Sequence, residues 1–218
     1  MSIQNKITID AYQKAAKKYL KCNELVSKEY KDDYIKEMND LHNLIKEIFV
    51  NLAINSNVLE VGAADGDNSL FIKSLGYNVT SSDVADDFLK TIKKNGLNPI
   101  KYNILTDSLN NKYNAIFCWR VFVHFTKSDS VKALKNGYDI LENNGLFIFS
   151  VINKECKNID NEWVDFPDIY HLGVDCYFNY YSRVEIADII NKTKFKILDI
   201  KDFTYANGIK LLVYILKK

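Results

Sequence analysis

The sequence lacks the patterns that mark several classes of protein. Its four cysteines, Cys22, Cys118, Cys156 and Cys176, lie far apart and form no Cys-x-x-Cys pair, so free thiols are expected and no metal site is predicted. The first twenty residues contain no uninterrupted apolar segment, and no stretch reaches the roughly 18 consecutive apolar residues of a membrane span. We therefore expect an intracellular, cytoplasmic protein with no membrane partner.

An excess of either charge is also absent. The chain has 29 basic and 28 acidic residues, which gives a formal net charge of +1. This balance creates no overall field that would attract the phosphates of nucleic acids, and no basic face interleaved with aromatic residues is visible. A small-molecule partner is favoured and nucleic acid is not, whereas the sequence leaves the oligomeric state open.

The first 57 residues have the apolar spacing of helices. One helix is predicted after Asp10, a plausible cap, and a second after Asp32 and Asp33. Because 218 residues suit one sizeable domain with an appendage, we expect residues 1–57 to form a helical lid on a single domain.

From Val58 onwards, segments typical of strands alternate with segments typical of helices. This order predicts an α/β fold with a doubly wound sheet, in which residues 58–153 form the core that binds a ligand. An aromatic insertion, residues 154–182, interrupts the alternation on the expected substrate side. Residues 183–218 then add a helix and two strands, the last antiparallel, for a total of seven strands in a mostly parallel sheet.

The stretch "NVLEVGAADGDNSL", residues 57–70, joins the first strand to the next helix. Its spacing, E-x-G-x-x-x-G, differs from the dinucleotide fingerprint G-x-G-x-x-G, because Glu60 precedes the turn and would repel a phosphate while attracting a cation. Asp83 ends the second strand 21 residues after Gly62, where a carboxylate can accept hydrogen bonds from ribose hydroxyls. These residues predict a nucleoside ligand that has no pyrophosphate and carries positive charge near Glu60.

The segment "VLEVGAADG" resembles the first motif of class I S-adenosylmethionine-dependent methyltransferases, E-[VI]-G-x-G-x-G, with Ala64 in place of the middle glycine. The similarity continues through Asp83, "YNAIFCWRVFVHF" as the fourth-strand motif and "LENNGLFIFSVIN" as the fifth. The resemblance implies a Rossmann-like fold, S-adenosylmethionine as the cofactor and S-adenosylhomocysteine as its product.

The same resemblance implies a role for each matching position. Gly62, Ala63 and Ala64 would pass beneath the methionine and ribose, and Asp83 would hold the ribose. The remaining cofactor contacts implied are Val84, Asn103 and Ile104 around the adenine, Cys118 and Trp119 on the methionine side, and Tyr12 and Tyr19 as a lid.

Two histidines lie where a general base would be useful, His124 after the fourth strand and His171 in the insertion. An orienting or structural role for His124, and a substrate contact for His171, remain open alternatives. The aromatic residues of the insertion are predicted either to line an acceptor pocket or to pack the far edge of the sheet. They are Trp163, Phe166, Tyr170, Tyr177, Tyr180 and Tyr181.

The predicted function is methyl transfer to an oxygen or nitrogen atom of a small molecule. No [ND]-P-P-[YFW] motif follows the fourth strand and no Pro-Cys pair occurs, so methylation of adenine or glutamine amides and of cytosine C5 is disfavoured. Two alternatives stay open, a nicotinamide-dependent oxidoreductase and a non-catalytic partner protein that binds S-adenosylmethionine.

Overall fold

A computed structural model of the protein describes residues 1–165 and 172–218. Its helices are α1 (Ile3–Glu29), α2 (Lys31–Phe49), α3 (Asp67–Ser74), α4 (Asp86–Lys94), α5 (Lys127–Ile140) and α6 (Arg183–Ile190). Its strands are β1 (Asn57–Val61), β2 (Asn78–Asp83), β3 (Ile100–Lys101), β4 (Tyr113–Cys118), β5 (Leu141–Asn153), β6 (Asn161–Asp165), β7 (Asp175–Tyr181), β8 (Lys196–Thr204) and β9 (Lys210–Lys217).

The strands form one mixed sheet that confirms the predicted fold class. The strands β3, β2, β1, β4 and β5 lie side by side and are parallel, while β9 pairs antiparallel with β5 and β8 with β9. These seven strands are the predicted set. The chain order reverses direction across the sheet between β1 and β4, which is the position where ligands bind in open α/β sheets.

Two further strands, β6 and β7, form a hairpin within the predicted aromatic insertion. Strand β7 pairs parallel with β5 at Ile152 and Asn153, beyond the last β5 residue that pairs with β4. Since Ile152 also pairs with β9, β7 must lie on the β4 side of β5. The sheet within the described residues therefore has nine strands, and the hairpin stands directly beyond the carboxyl end of β4.

Helices cover both faces of the sheet. Side chains of α5 and α6 pack with one set of strand residues, including Phe147 and Leu212, whereas α1, α2 and α3 pack with the opposite set, including Phe117 and Val213. Successive side chains of a strand point to opposite faces of the sheet. Because helices cover both faces, the central strands are apolar on both. Within the described residues, no helix is both long and apolar enough to cross a membrane.

Three predicted boundaries were wrong, and the smallest difference is at α2, which begins at Lys31 rather than after Asp33. Helix α1 begins at Ile3 rather than after Asp10, because the Ser2 side chain accepts a hydrogen bond from the Asn5 N–H and caps the helix there. The third strand, expected over "PIKYNIL" (residues 99–105), is limited to Ile100–Lys101, since Asn103 turns the chain by accepting the Leu105 N–H on its side-chain oxygen.

Gly137 allows α5 to lie directly on the sheet. A Cβ atom at this position would come within 2.1 Å of the Phe147 ring, which is fully buried. Gly137→Ala is therefore expected to lower the free energy of unfolding by roughly 1–3 kcal/mol, although alanine ordinarily favours a helix. Urea denaturation measures the change, with Lys135→Ala on the exposed side of α5 as the control; equal stability of the two variants would contradict the close packing.

Candidate active site

A cavity of about 910 Å³ lies at the carboxyl ends of β1, β2 and β4. The loops after β1, β2 and β3 line one half of it. The other half is bounded by α2, the hairpin of β6 and β7, and the turn between β8 and β9, while α1 extends along both halves. This volume lies in the range of cavities that bind small-molecule ligands.

The loop after β1 forms the floor of the first half. Gly62 has a φ of 74°, and Ala64 adopts a left-handed φ of 48° that glycine would occupy without strain. Gly62, Ala63 and Ala64 all lie on the cavity wall, as do Val84, Asn103 and Ile104.

Asp83 organises this loop from the end of β2. One carboxylate oxygen accepts the Ala64 N–H at 3.0 Å, and the other accepts the N–H groups of Val84 and Ala85 at 2.7 and 3.0 Å. Burial raises the pKa of Asp83, and these three hydrogen bonds oppose that shift. A carboxylate offers about four acceptor sites, so at least one remains for a ribose hydroxyl on the cavity side.

Ala64→Gly is expected to stabilise the protein. Glycine removes the left-handed strain at this position, which costs roughly 1 kcal/mol, and the Ala64 N–H bond to Asp83 is kept. Ala63→Gly is the matched control, because Ala63 does not have a positive φ and its replacement should destabilise the fold. Thermal unfolding compares the two variants with the wild type. A lower melting temperature for Ala64→Gly than for the wild type would show that Ala64 is not strained.

Two predicted cofactor residues lie behind the wall. Glu60 is buried beneath the loop, where it accepts a hydrogen bond from the Ser69 hydroxyl, and Ser69 in turn accepts from Ser81 at 2.7 Å. Burial raises the pKa of Glu60 to about 8, although the Ser69 bond opposes this shift. Cys118 is fully buried, and burial also raises its pKa. Both support the loop from below and neither lines the cavity.

The turn after β4 packs against the same loop. A Cβ on Gly62 would lie 2.5 Å from a methyl carbon of Val121, so the absence of a side chain at Gly62 lets the two segments touch. Arg120 holds the turn with a left-handed φ of 57°, and its N–H donates to Ser150 Oγ at 2.8 Å. Trp119 lies on the wall, and its ring nitrogen donates to the Tyr205 hydroxyl at 3.0 Å.

Helix α1 closes the cavity from above and brings Tyr12 to His124. The Tyr12 hydroxyl lies 3.0 Å from His124 Nε2, and His124 Nδ1 lies 2.8 Å from the Tyr177 carbonyl oxygen. Because a carbonyl only accepts, Nδ1 must carry the proton, and Nε2 then accepts from Tyr12. Burial lowers the pKa of His124 to about 4, so the ring is neutral near pH 7. Tyr19 lies on the same wall.

One face of the β6–β7 hairpin lines the second half of the cavity. Its residues there are Glu162, Val164, Phe178 and Tyr180. The alternate residues point away: Trp163 packs on Tyr177 with ring centres 5.5 Å apart, and the Tyr181 hydroxyl donates to the Phe125 carbonyl at 2.7 Å. Of the predicted aromatic residues, Tyr180 is on the wall, whereas Trp163, Tyr177 and Tyr181 are not.

The predicted residues Phe166, Tyr170 and His171 lie outside the described residues. The prediction also omitted wall residues that the structure brings in, namely Arg120, Phe178 and Tyr205. The period-two alternation of "DCYFNYY" could have identified Phe178, since it shares a face with Tyr180. No cluster of metal-ligating side chains occurs within residues 1–165 and 172–218.

The fold is a Rossmann-like α/β architecture with a cavity at the switch point of its sheet. The sequence matches the family described as "Methyltransferase domain" over residues 29–200. The chain therefore belongs to this family. It is a class I methyltransferase with S-adenosylmethionine as its cofactor, as the first motif predicted.

Solved structures share the fold at low sequence identity. An S-adenosylmethionine-dependent methyltransferase from Clostridium acetobutylicum is 18% identical with a TM-score of 0.68, covering 91% of this chain and 98% of its own. Magnesium protoporphyrin IX methyltransferase from Synechocystis, solved with bound S-adenosylmethionine, is 11% identical with a TM-score of 0.73, covering 100% and 98%. A glycopeptide N-methyltransferase is 12% identical with a TM-score of 0.62, covering 78% and 92%. No curated protein sequence shows significant similarity to this chain.

Proposed function

We propose that this protein transfers a methyl group from S-adenosylmethionine to an oxygen or nitrogen atom of a small-molecule acceptor. The observation that carries the proposal is a single cavity that joins the loop after β1 to an aromatic chamber beneath α1. The formal net charge of +1 supports a small acceptor over a nucleic acid.

The first half of the cavity suits the cofactor. Gly62, Ala63 and Ala64 present backbone and small side chains on the wall, so a ligand can approach the loop closely, and Asp83 has an acceptor site for the ribose. Val84 and Ile104 lie on the wall where they would flank the adenine. When bound, S-adenosylmethionine supplies a methyl group that its sulfonium already activates, so the protein has mainly to position the nucleophile.

The second half suits an acceptor with aromatic or apolar area. Phe178 and Tyr180 from β7, together with Trp119 and Tyr205, provide rings that combine apolar surface with hydrogen-bonding groups. The Tyr12 hydroxyl lies between the two halves. Tyr12, whose hydroxyl donates to His124, lies on the cavity wall, where that hydroxyl would accept a hydrogen bond from the O–H or N–H of an acceptor.

The Tyr12 and His124 pair therefore orients the acceptor rather than storing its proton. A histidine with a pKa of about 4 is a weak base near pH 7. Holding the acceptor in line with the methyl group supplies most of the rate enhancement. The solved relatives named above include enzymes for a porphyrin and for a glycopeptide, which supports a varied acceptor half on a constant cofactor half.

Isothermal titration with S-adenosylmethionine, S-adenosylhomocysteine and NADH tests the cofactor assignment. Micromolar binding of the two sulfur nucleosides and no binding of NADH are expected. Purified protein is then incubated with S-adenosylmethionine and pools of phenols, amines and carboxylic acids, and release of S-adenosylhomocysteine is measured. Binding of NADH alone would overturn the proposal and would favour the oxidoreductase alternative.

A further inference from the structure

Asn5, in the first turn of α1, carries a buried polar group with no partner. The residue is only 3% exposed, and its side-chain oxygen has no hydrogen-bond partner among the described residues. Burying an amide oxygen without a hydrogen bond is costly, and such groups in folded proteins call for an explanation. The oxygen itself is inaccessible, but Asn5 lies on the wall of the cavity. Rotation of its side chain would therefore bring the oxygen to a ligand there.

The contacts of Met1 and Ser2 show where Asn5 lies along the cavity. The Asn103 side-chain nitrogen donates to the Met1 sulfur at 3.4 Å, and the Ser2 N–H donates to Asp129 at 3.0 Å. These contacts hold the first turn of α1 beside the loop after β3. Asn5 lies four residues after Met1, about one helical turn, between the contact with Asn103 and the contact of Tyr12 with His124.

The Asn103 side chain has part of its hydrogen-bonding capacity committed within the protein. The Asn103 oxygen already accepts the Leu105 N–H at 2.9 Å, and its nitrogen is held by Met1. Asn5 is thus an amide at this end of the cavity whose oxygen is still unpaired. An asparagine amide can pair with adenine through two hydrogen bonds, accepting from the 6-amino group and donating to the neighbouring ring nitrogen.

We propose that Asn5 recognises the adenine of the cofactor by pairing its side-chain amide with the edge that carries the 6-amino group. This inference rests on the proposed function, because it takes the orientation of the cofactor from it. The N-terminal helix is then part of the nucleoside site as well as its cover. Selectivity for adenine depends on α1 being docked.

The test compares two ligands in titration calorimetry, S-adenosylhomocysteine and S-inosylhomocysteine, in which oxygen replaces the 6-amino group. The wild-type protein is expected to prefer the adenine ligand. Asn5→Leu should weaken S-adenosylhomocysteine binding on the order of tenfold and leave S-inosylhomocysteine binding nearly unchanged, which reduces the preference. Asn39→Ala, an exposed asparagine of α2, is the matched control and should bind both ligands as the wild type does.

Thermal unfolding without ligand provides a second readout. Asn5→Leu removes an unpaired buried oxygen, so the variant is expected to melt at the same temperature as the wild type or higher. If leucine does not fit, Asn5→Ala provides the same comparison. An unchanged preference for adenine in a folded variant would overturn this inference alone, whereas absence of S-adenosylhomocysteine binding to the wild type would overturn the proposed function with it.

Discussion

Asp83→Ala is expected to weaken binding of S-adenosylmethionine and S-adenosylhomocysteine by about tenfold to a hundredfold. The variant lacks the carboxylate and therefore its charge-assisted bond to the ribose, which lowers the binding free energy by roughly 1.5–3 kcal/mol. It would also release the N–H groups of Ala64, Val84 and Ala85, so the cofactor loop would no longer be held in its binding conformation. Titration calorimetry measures the change in affinity.

Asp83→Asn separates the two effects. Asparagine has nearly the same volume and keeps one acceptor oxygen, so this variant is expected to fold while still binding the cofactor more weakly than the wild type. Asp87→Ala is the control, because Asp87 lies on the surface of α4 paired with Lys90 and is not on the cavity wall. Wild-type affinity in a folded Asp83→Ala protein would remove Asp83 from the cofactor site.

Tyr12→Phe is expected to reduce kcat by roughly a hundredfold, because an acceptor that is no longer held in line with the methyl group reacts far more slowly. His124→Asn should cause a similar loss, since it removes the partner that orients the Tyr12 hydroxyl. The double variant should be little worse than either single variant, as expected for residues that act as a unit. Tyr138→Phe, which removes a phenol hydroxyl away from the cavity, is the control.

The pH dependence of kcat/KM shows whether His124 orients the acceptor or removes its proton. With the His124 pKa at about 4, the ring stays neutral above that value, so kcat/KM should fall only as the pH drops towards 4. A histidine acting as a base with an ordinary pKa would instead lose activity below about pH 6.5. An inflection near that value, abolished in His124→Asn, would return His124 to the role of general base.

The sequence predicted the central sheet and the backbone turns that line one half of the cavity. Gly62 and Asp83 are recognisable because a turn next to a ligand and a carboxylate at a strand end each restrict the residue type at a known spacing. The structure places every predicted cofactor residue on the cavity wall except Glu60 and Cys118, whose burial raises both pKa values. Burial of a polar residue beneath a loop depends on tertiary packing, which spacing does not reveal.

The other half of the site depends on contacts between distant segments. Tyr12 meets His124 across 112 positions of the chain, and the Asn103 contact with Met1 spans 102. No local pattern records either pairing. The start of α1 was misplaced for a related reason, because Asp10 and Ser2 are both acceptable caps and only the observed bond from the Asn5 N–H to Ser2 decides between them.

Side chains of the β6–β7 hairpin alternate between its two faces. Under the proposed function, the residues of one face contact the acceptor. Positions 162, 164, 178 and 180 face the cavity, whereas Trp163 and Tyr181 pack elsewhere and the Tyr177 carbonyl holds His124. A library that varies these four positions among residues of similar volume would therefore test substrate preference, because Phe178 and Tyr180 are also buried in the core. Under the proposed function, a few substitutions on this one face would change the acceptor while the loop after β1 is kept.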